Sequence, residues 1–255
     1  MSVSVVIPTR NRGGTLLRAV ASAAIESPCE VVVVDDASTD DTPAVLAMAC
    51  RVYPCVRVVR HATKSADWQA AAATVYQSLQ GTHVICMGAD DALVRGIVPS
   101  VERFPSAAVV FHDYWVANTT DQITGGVCMG YDAVTELTPT QMQQRLVSHP
   151  YASETGIGSA IRKDLLLWLT ERQFWLMGPF SDAIGYAVVA AMHGCTFAPG
   201  AAAVFTVDEH GYGERHRTGG RAHEYHQAVR KFVDNVDLPI DVRAAICGKR
   251  GIVYG

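Results

Sequence analysis

The sequence predicts an α/β fold in which helices flank a mostly parallel sheet. Short apolar runs alternate with segments of helical pattern through the N-terminal half, and this alternation is typical of βαβ units. The apolar runs are continuous in Val and Ile, as expected of strands that are covered on both faces. Hydrophobic residues make up 49% of the 255 residues, which is enough for a large core and argues against disorder.

Strands and helices can be assigned in order through the N-terminal half. β-Branched runs predict strands at Ser2–Ile7, Glu30–Asp35, Val56–Arg60, Thr82–Met87 and Ala107–His112. The segments between these runs predict helices at Thr15–Ile25, Thr42–Tyr53, Trp68–Leu79 and Gly96–Phe104. We therefore expect residues 1–113 to form one half of a single domain and residues 114–255 to form the other.

The strand–helix pattern weakens after Tyr114, and the segment Asn118–Thr135 is polar and turn-rich. A helix start is predicted at Thr138-Pro139-Thr140-Gln141, since Thr can cap, Pro suits the first helical position and Gln can reach back. Further helices are expected at Gln141–Ser148, Lys163–Arg172, Ser181–His193, Arg221–Val236 and Asp241–Cys247, with a Gly-, His- and Arg-rich loop over Asp208–Gly220.

Composition and charge exclude several classes of protein. The formal net charge is −4, so no general affinity for nucleic acid is expected. The 7 cysteines lack metal-binding spacing and are interpreted as buried free thiols in a reducing cytoplasm. No signal peptide is expected, because the N-terminus lacks a basic region followed by an apolar stretch. No membrane span is expected, because no apolar run approaches roughly 18–20 residues. The sequence leaves peripheral membrane contact and oligomerisation open.

Polar residues follow three of the predicted strands. Asp90-Asp91 comes after Thr82–Met87, Asp35-Asp36 ends the second strand, and Pro8-Thr9-Arg10 breaks the first. In open α/β sheets ligands bind outside the carboxyl ends of the strands, so these residues could meet in one crevice. Adjacent carboxylates repel, and a divalent metal that also binds phosphate oxygens would make the Asp90-Asp91 pair tolerable. A polar turn after a strand is the alternative.

The chain resembles glycosyltransferase family 2, an inverting family with a GT-A fold. The resemblance lies in Val5–Arg12, in Val31–Thr42 and in Gly88-Ala89-Asp90-Asp91, whose order and spacing fit the family. It implies a GT-A-type, Rossmann-like, mostly parallel sheet flanked by helices, with an acceptor-side α+β C-terminal half. Two departures stand out: the first metal-motif Asp of the family is Gly88 here, and the Arg-Asn pair of many relatives is Ala72-Ala73.

The resemblance implies transfer of a sugar from a nucleoside-diphosphate sugar, expected to be a UDP-sugar, with Mn²⁺ or Mg²⁺ as cofactor. The acceptor would be a hydroxyl of a glycan, a glycolipid or another surface-polymer precursor. One of Asp90 and Asp91 would contact the metal and the other the ribose or a metal-bound water. Asp35 would accept the imide N–H of uracil, as a carboxylate can, while Asp35 or Asp36 capping the next helix remains the alternative. The base-facing wall would be formed by Pro8, Thr9 and Arg10.

Inversion requires a general base that takes the proton of the acceptor hydroxyl. The matching family position is Asp182, which follows Gly178-Pro179-Phe180-Ser181. Asp182 could instead be only a helix N-terminal acid favoured by the macrodipole, and Glu154 is the second candidate base. His210 is a candidate metal ligand in a loop that also carries Arg215, His216 and Arg217, and a solvated surface loop is the alternative.

Other residues give weaker signals. His112-Asp113 could face the acceptor or the sugar, and Trp115 could stack on a sugar ring, whereas Trp168 and Trp175 lie in apolar helical context and are expected to pack in the core. Two alternative functions remain open: a sugar nucleotidyltransferase and a nucleotide-sugar-binding module without turnover. A dinucleotide-dependent oxidoreductase is disfavoured, because no G-x-G-x-x-G follows the first strand.

Overall fold

The computed structural model describes residues 2–65, 67–149, 157–178, 181–207 and 221–248. The strands in these ranges are β1 (Val3–Thr9), β2 (Glu30–Asp35), β3 (Val56–Arg60), β4 (His83–Cys86), β5 (Ala92–Leu93), β6 (Val109–Asn118), β7 (Ile123–Val127), β8 (Thr135–Leu137), β9 (Ala160–Arg162) and β10 (Cys195–Val207). The helices are α1 (Gly13–Ile25), α2 (Thr42–Val52), α3 (Trp68–Tyr76), α4 (Ile97–Glu102), α5 (Pro139–Ser148), α6 (Lys163–Glu171), α7 (Ser181–His193), α8 (Ala222–Asp234) and α9 (Ile240–Gly248), with a 3₁₀ turn at Phe174–Met177.

The strands form one mixed sheet in the order β3-β2-β1-β4-β9-β6-β10-β5, with β7 on β6 and β8 on β10. Strands β3, β2, β1 and β4 are parallel neighbours, and β6 pairs with β10 in parallel. The short strand β9 is antiparallel to both β4 and β6, so β4 and β6 point the same way. The predicted α/β class with a mostly parallel, helix-flanked sheet is confirmed.

The core is built on the central strands. Every residue of β1 and β2 is buried, and the Val side chains of β2 have no exposed surface. Helix α1 packs against α2 and against β1. Helix α3 contacts β1 and β2. This double cover explains the continuous Val/Ile runs that predicted the strands.

Several predicted elements agree closely with the structure. The bounds of β2, β3 and α7 are as predicted, and the capping box at Thr138 is formed with Gln141. The predicted helix Gly96–Phe104 is shorter, and the strand predicted to end at His112 continues to Asn118.

The C-terminal half was expected to be α+β, but the sequence pattern did not locate its individual strands. The segment Asn118–Thr135 contains β7, because Asp121 takes a left-handed turn with φ 62°. Strand β10 was not predicted since Pro199-Gly200 interrupts its apolar pattern, and the register shifts between Ala198 and Ala203 absorb this interruption as a bulge. The three-residue strands β8 and β9 are too short to give a periodic signal.

The cysteines are free thiols, as expected, but not all are buried. Cys86 and Cys195 are buried, whereas Cys29, Cys50 and Cys128 are exposed. Within the described ranges, no helix combines the length and the apolar character that a membrane crossing requires.

A buried carboxylate joins the starts of the parallel strands. Glu30 accepts hydrogen bonds from Ser4 Oγ at 2.7 Å, from Gln80 N at 2.6 Å and from Arg57 Nε at 2.8 Å. Burial alone would raise the pKa of Glu30, but these hydrogen bonds and the charge of Arg57 outweigh it and lower the pKa. The chain entering β4 passes close to β1 at Gly81, whose N–H donates to Ser4 Oγ at 2.8 Å.

We expect Gly81→Ala to destabilise the protein by about 1–3 kcal/mol, because overpacking of a close contact forces the backbone to shift. A Cβ at Gly81 would overlap Ser4 N and lie 2.9 Å from the Val3 carbonyl carbon. Gly14→Ala is the matched control: nothing lies within 4 Å of a Cβ there, and Ala favours the helix by up to about 1 kcal/mol. Urea unfolding of both variants checks the prediction, and an equal stability of the two would contradict it.

Candidate active site

The loops that follow β1 and β2 are joined by side-chain hydrogen bonds. Asn11 N donates to Ser38 Oγ at 3.0 Å, and Thr39 N donates to Asn11 Oδ1 at 2.8 Å. Arg12 N donates to Thr42 Oγ1 at 3.0 Å. These bonds hold the carboxyl ends of two neighbouring strands as one rigid polar surface, so the two predicted strand ends do converge.

Asp35 and Thr9 are register partners at the ends of β2 and β1, and both carry an unsatisfied buried atom. Asp35 is 0% exposed, and its Oδ1 accepts a hydrogen bond from Ser38 N at 3.0 Å. Its Oδ2 lies 3.2 Å from Arg60 Nε as an ion pair, yet neither this oxygen nor Thr9 Oγ1 has a hydrogen-bond partner in the described chain. Buried polar atoms are normally satisfied, so the pair indicates a subsite for a polar ligand.

Asp36 has a different role from Asp35. Its carboxylate accepts hydrogen bonds from Ser65 N at 2.8 Å and 3.1 Å, and His61 Nδ1 lies 3.1 Å away. Burial raises the pKa of Asp36, but the bonds from Ser65 and His61 outweigh burial and lower it. Asp36 therefore anchors the loop after β3. The alternative that Asp35 or Asp36 caps α2 is wrong, because Asp40 Oδ1 accepts the Thr42 N–H at 3.0 Å.

The remaining residues of the predicted base-facing wall lie at the end of β1. Pro8 is buried and pairs with Val34, whereas Arg10 is exposed just beyond the strand. Arg10 forms no ion pair with an acidic side chain of the described residues, and it follows directly after Thr9 in the chain.

Asp90 and Asp91 lie in different environments. Asp91 is 5% exposed, and its two oxygens accept hydrogen bonds from Thr206 N at 2.9 Å and Gly88 N at 3.0 Å. Burial, and after it the charge of Asp90, raises the pKa of Asp91 to about 7. The side chain of Asp90 is 25% exposed. Asp91 thus holds the turn after β4, and Asp90 is the accessible carboxylate of the pair.

Two arginines neutralise this acidic turn. Arg12 Nη2 lies 3.4 Å from Asp90 Oδ2. Arg18 of α1 donates to the backbone carbonyl of Asp90, and it also contacts Thr206 Oγ1 at 3.4 Å and forms an ion pair with Asp121 between β6 and β7. The sequence suggested that a divalent metal must balance the two carboxylates, but guanidinium groups from elsewhere in the chain already do so in part.

The donor set suits a metal that is shared with a ligand better than one caged by protein. No group of three or more His, Cys, Asp or Glu side chains that could hold a metal is found among the described residues. At Gly88, where the family has an acid, a Cβ would lie 2.7 Å from Asp91 Oδ2 and 2.8 Å from Asp90 Oδ1. Mg²⁺-type sites commonly use one or two carboxylates, waters and phosphate oxygens, and Asp90 fits that pattern as a single ligand.

Asp182 lies in the first turn of α7, partly exposed. The preceding Ser181 Oγ donates to Gly178 O at 2.7 Å and to Gln69 Oε1. Gln69 is 1% exposed, and its Nε2 has no hydrogen-bond partner in the described part of the chain. After burial, the charge of Asp182 contributes to raising the pKa of Cys86 to about 12, so Asp182 lies near the end of β4.

Sequence reasoning missed Asp67, the neighbour of Asp182. Asp67 caps α3 by accepting the Gln69 N–H at 2.8 Å. Burial is the largest cause that raises the pKa of Asp67 to about 6; the charge of Asp182 raises it further, and Arg221 opposes both. An Asp before an Ala-rich helix signals a cap in sequence, but nothing local indicates a partner from α7. The structure therefore brings together two carboxylates at the end of β4.

Some candidate residues lie outside the described ranges, and others form hydrogen bonds within the fold. Glu154, His210, Arg215, His216 and Arg217 fall outside the described ranges. His112 does not face an open site: it is 2% exposed between Ser100 Oγ and Gly158 O, each at 2.9 Å, and burial lowers its pKa to about 4. Asp113 accepts the Met129 and Gly200 N–H groups at 2.7 Å and 3.2 Å.

The predicted aromatic residues divide as expected. Trp168 packs edge-on against Phe232, and Trp175 packs against Phe174. Trp115 is 48% exposed in the C-terminal part of β6.

Comparison with known proteins identifies the class to which this fold and site belong. The chain matches the profile described as "Glycosyl transferase family 2" over residues 4–167. Because that match covers more than half of the chain, the protein belongs to glycosyl transferase family 2. The resemblance noted in the sequence is confirmed.

Solved structures show the same fold. TarS 1–349 of S. aureus in complex with UDP-GlcNAc aligns with a TM-score of 0.71 and 18% identity, over 97% of this chain and 70% of that chain. The mannosyltransferase PcManGT of Pyrobaculum calidifontis in complex with GDP-Man and Mn²⁺ aligns with a TM-score of 0.64 and 20% identity, over 98% and 69%. No significant match to a curated protein sequence was found. The fold is thus the GT-A fold of nucleotide-sugar glycosyltransferases.

We expect Asp67→Asn to stabilise the protein at neutral pH and to have little effect at low pH. Since the pKa of Asp67 is raised to about 6, the folded state keeps this proton after the unfolded state has lost it near pH 3.9. Stability therefore falls as the pH rises between these two values, and the deficit persists above them. Asn keeps the helix cap and removes the charge, which should add about 1–2 kcal/mol at neutral pH after allowance for solvent.

Urea unfolding at neutral pH and near pH 4 checks this prediction. Asp67→Ala is the control, since it also removes the cap and should lose about 1 kcal/mol at low pH. If the stability change in Asp67→Asn did not vary with pH, burial and the charge of Asp182 would not raise the pKa of Asp67.

Proposed function

We propose that the protein is an inverting glycosyltransferase that moves a sugar from a UDP-sugar to a hydroxyl group of a glycan, glycolipid or other surface-polymer precursor. The observation that carries this proposal is the pair of unsatisfied buried atoms, Asp35 Oδ2 and Thr9 Oγ1, at the joined ends of β2 and β1. Family membership supports the reaction class. TarS, which aligns over most of the chain, has been solved with UDP-GlcNAc.

The Asp35–Thr9 subsite suits a nucleobase that offers an imide N–H. Asp35 Oδ2 is ion-paired with Arg60 but accepts no hydrogen bond from the described residues, and N3–H of uracil can donate to it. Cytosine presents a lone pair at the same position and would be rejected. Guanine also carries an imide N–H, at N1, so GDP is the informative competitor. PcManGT, solved with GDP-Man, aligns at a lower TM-score than TarS.

The diphosphate is expected beside Asp90, next along the sheet from β1. Asp90 would hold Mn²⁺ or Mg²⁺ together with phosphate oxygens, and such a cation supplies Lewis-acid stabilisation of the leaving diphosphate. Arg12 forms an ion pair with Asp90. Its guanidinium can turn to the phosphates, to which its planar arrangement of donors is suited. Asp91 keeps the turn in place through Gly88 N and Thr206 N.

Asp182 is the proposed general base. As the acceptor oxygen attacks the anomeric carbon from the side opposite the diphosphate, Asp182 takes the hydroxyl proton, the new C–O bond forms and the bond to the diphosphate breaks. Attack from the opposite side inverts the configuration. Its position near the end of β4 is consistent with a base that approaches the same crevice as Asp90 from α7.

The alternative of a sugar nucleotidyltransferase is disfavoured by the start of α1. A phosphate-binding loop would leave the N–H groups of Gly13 and Gly14 free. Instead, Gly13 N donates to Asp40 Oδ2 at 3.3 Å, and the carboxylate of Asp41 occupies the space that a Gly13 side chain would take. Two carboxylates at this helix end repel a phosphate. A measurement of donor hydrolysis with purified protein distinguishes the proposed enzyme from a binding module without turnover.

Asp35→Asn should weaken UDP binding by about 1.5–3 kcal/mol. The substitution removes a charge-assisted hydrogen bond, and the NH₂ group of Asn can take the place of the accepting carboxylate oxygen. Calorimetric titration with UDP, GDP and CDP measures this loss. Asp36→Asn is the matched control: its oxygens already bind Ser65 and His61, so it should lower thermal stability and leave UDP affinity nearly unchanged. Unchanged UDP affinity in folded Asp35→Asn would reject the subsite.

Asp182→Asn should keep donor binding and lose about 10²–10⁴-fold in turnover, because an amide cannot take the acceptor proton. Asp164→Asn is the matched control, since Asp164 is likewise a first-turn acid, in α6, and its side chain is exposed. If each carboxylate only interacts with its helix dipole, each substitution lowers the free energy of unfolding by up to about 1 kcal/mol. Hydrolysis of UDP-GlcNAc per folded molecule is the measurement, and equal turnover of the two variants would remove Asp182 from the mechanism.

A further inference from the structure

Trp115 is unusually exposed for its position in the fold. It lies within β6, between neighbouring strands β7 and β10, yet it is 48% exposed. Side chains at register partners share a face of the sheet, so Trp115 and Ala117 lie on the same face as Val204 and Thr206. Thr206 is the residue that Arg18 contacts as it reaches Asp90. The exposed indole is therefore on the face that carries the acidic turn.

The acidic turn reaches the strand beside Trp115. Trp115 of β6 pairs with Val204 of β10. Two residues further along β10, Thr206 N donates at 2.9 Å to Oδ1 of Asp91, the neighbour of Asp90. Arg18 contacts the same two places, Thr206 Oγ1 and the backbone carbonyl of Asp90. Trp115 thus lies one strand away from the residue that holds the acidic turn.

The indole packs closely against a glycine on the next strand. Gly126 of β7 is the register partner of Trp115, and a Cβ at Gly126 would lie 2.9 Å from Cε3 and 3.1 Å from Cζ3 of the ring. The neighbouring Gly125 has nothing within 4 Å of a Cβ. The pair Gly125-Gly126 thus lets the ring lie against bare backbone and leaves its outer face uncovered.

The strand order indicates what this face would bind. Along the sheet, the proposed base subsite lies at β2 and β1, the turn with the proposed diphosphate subsite leaves β4, and β6 lies beyond β4 with the short β9 between them. A nucleotide sugar that runs along this edge has its base and phosphates on one side of Asp90 and its acceptor on the other. We infer that Trp115 is a stacking platform for a pyranose ring of the acceptor, an assignment that rests on the proposed function for its role in transfer.

The chemistry fits a sugar rather than an apolar partner. One face of a pyranose presents C–H groups that pack on an indole, while its hydroxyls remain available to water and polar groups, and Trp suits such half-wet sites. Near the platform, Arg18 and Asp121 form an ion pair and offer polar partners at the rim. An apolar peptide would desolvate these groups without offering them hydrogen bonds.

The direct test is ¹⁹F NMR of protein labelled with 5-fluorotryptophan. The chain has 4 Trp residues, and the Trp115 signal is assigned by its loss in Trp115→Phe. Methyl glycosides of glucose, galactose, mannose and N-acetylglucosamine are titrated with and without UDP. At least one should shift the Trp115 signal and leave the other signals in place. The absence of any shift at Trp115 with all four glycosides, in both conditions, would overturn the inference.

Matched variants separate stacking from packing. Gly126→Ala should displace the ring and weaken the glycoside response about tenfold, whereas Gly125→Ala should preserve it, since only the first meets the indole. Phe205→Ala is a second control, because Phe205 is 41% exposed on the opposite face of the adjoining strand β10. Equal responses in Gly126→Ala and Gly125→Ala would contradict the platform.

Donor measurements distinguish this inference from the proposed function. Trp115→Ala should leave UDP affinity and UDP-GlcNAc hydrolysis unchanged while abolishing the glycoside response. A fall in UDP affinity in Trp115→Ala would place the indole on the donor side and overturn the inference alone. If wild-type protein binds glycosides at Trp115 but binds neither UDP nor GDP, the proposed function fails and the sugar platform stands.

Discussion

The arrangement of the site depends on the carboxylate of Asp91. The chain leaves β4 in the middle of the sheet and next forms β5 at its far edge, beyond β10. Asp91 holds this crossing at both ends, through Gly88 N at 3.0 Å and Thr206 N at 2.9 Å. Because these bonds turn Asp91 inward, its neighbour Asp90 must point outward. The exposure of Asp90, its contact with Arg12 and the approach of Arg18 all follow from that single constraint.

Charge is distributed unevenly along the carboxyl edge of the sheet. Arg10, Arg12 and Arg60 lie around the ends of β1, β2 and β3, while Asp67 and Asp182 form a second acidic centre next to β4. Although the net charge of the chain is −4, this edge of the sheet therefore carries positive charge around β1 to β3 and negative charge next to β4. Local arrangement, rather than net charge, determines what the crevice attracts.

The sequence revealed those parts of the fold and site that depend on neighbouring residues. Runs such as Glu30–Asp35 identify a doubly covered strand, and the acids that follow it mark the ligand edge. Long-range pairings left no such signal: β10 is hidden by its bulge, and Asp67 meets Asp182 only after α3 and α7 have packed near β4. The sequence also could not predict how the two residues of each Asp pair differ, since adjacent carboxylates are equivalent in sequence until their hydrogen bonds are known.

The crowding at Gly88 has a consequence for placing an acid there. With both neighbouring carboxylates within 2.8 Å of where its side chain would begin, an acid at this position would collide with Asp90 and Asp91 in their present positions. A three-acid motif therefore requires at least one of these neighbours to move. Because Asp91 is held by Gly88 N and Thr206 N and Asp90 is partly exposed, Asp90 is the side chain that can make room.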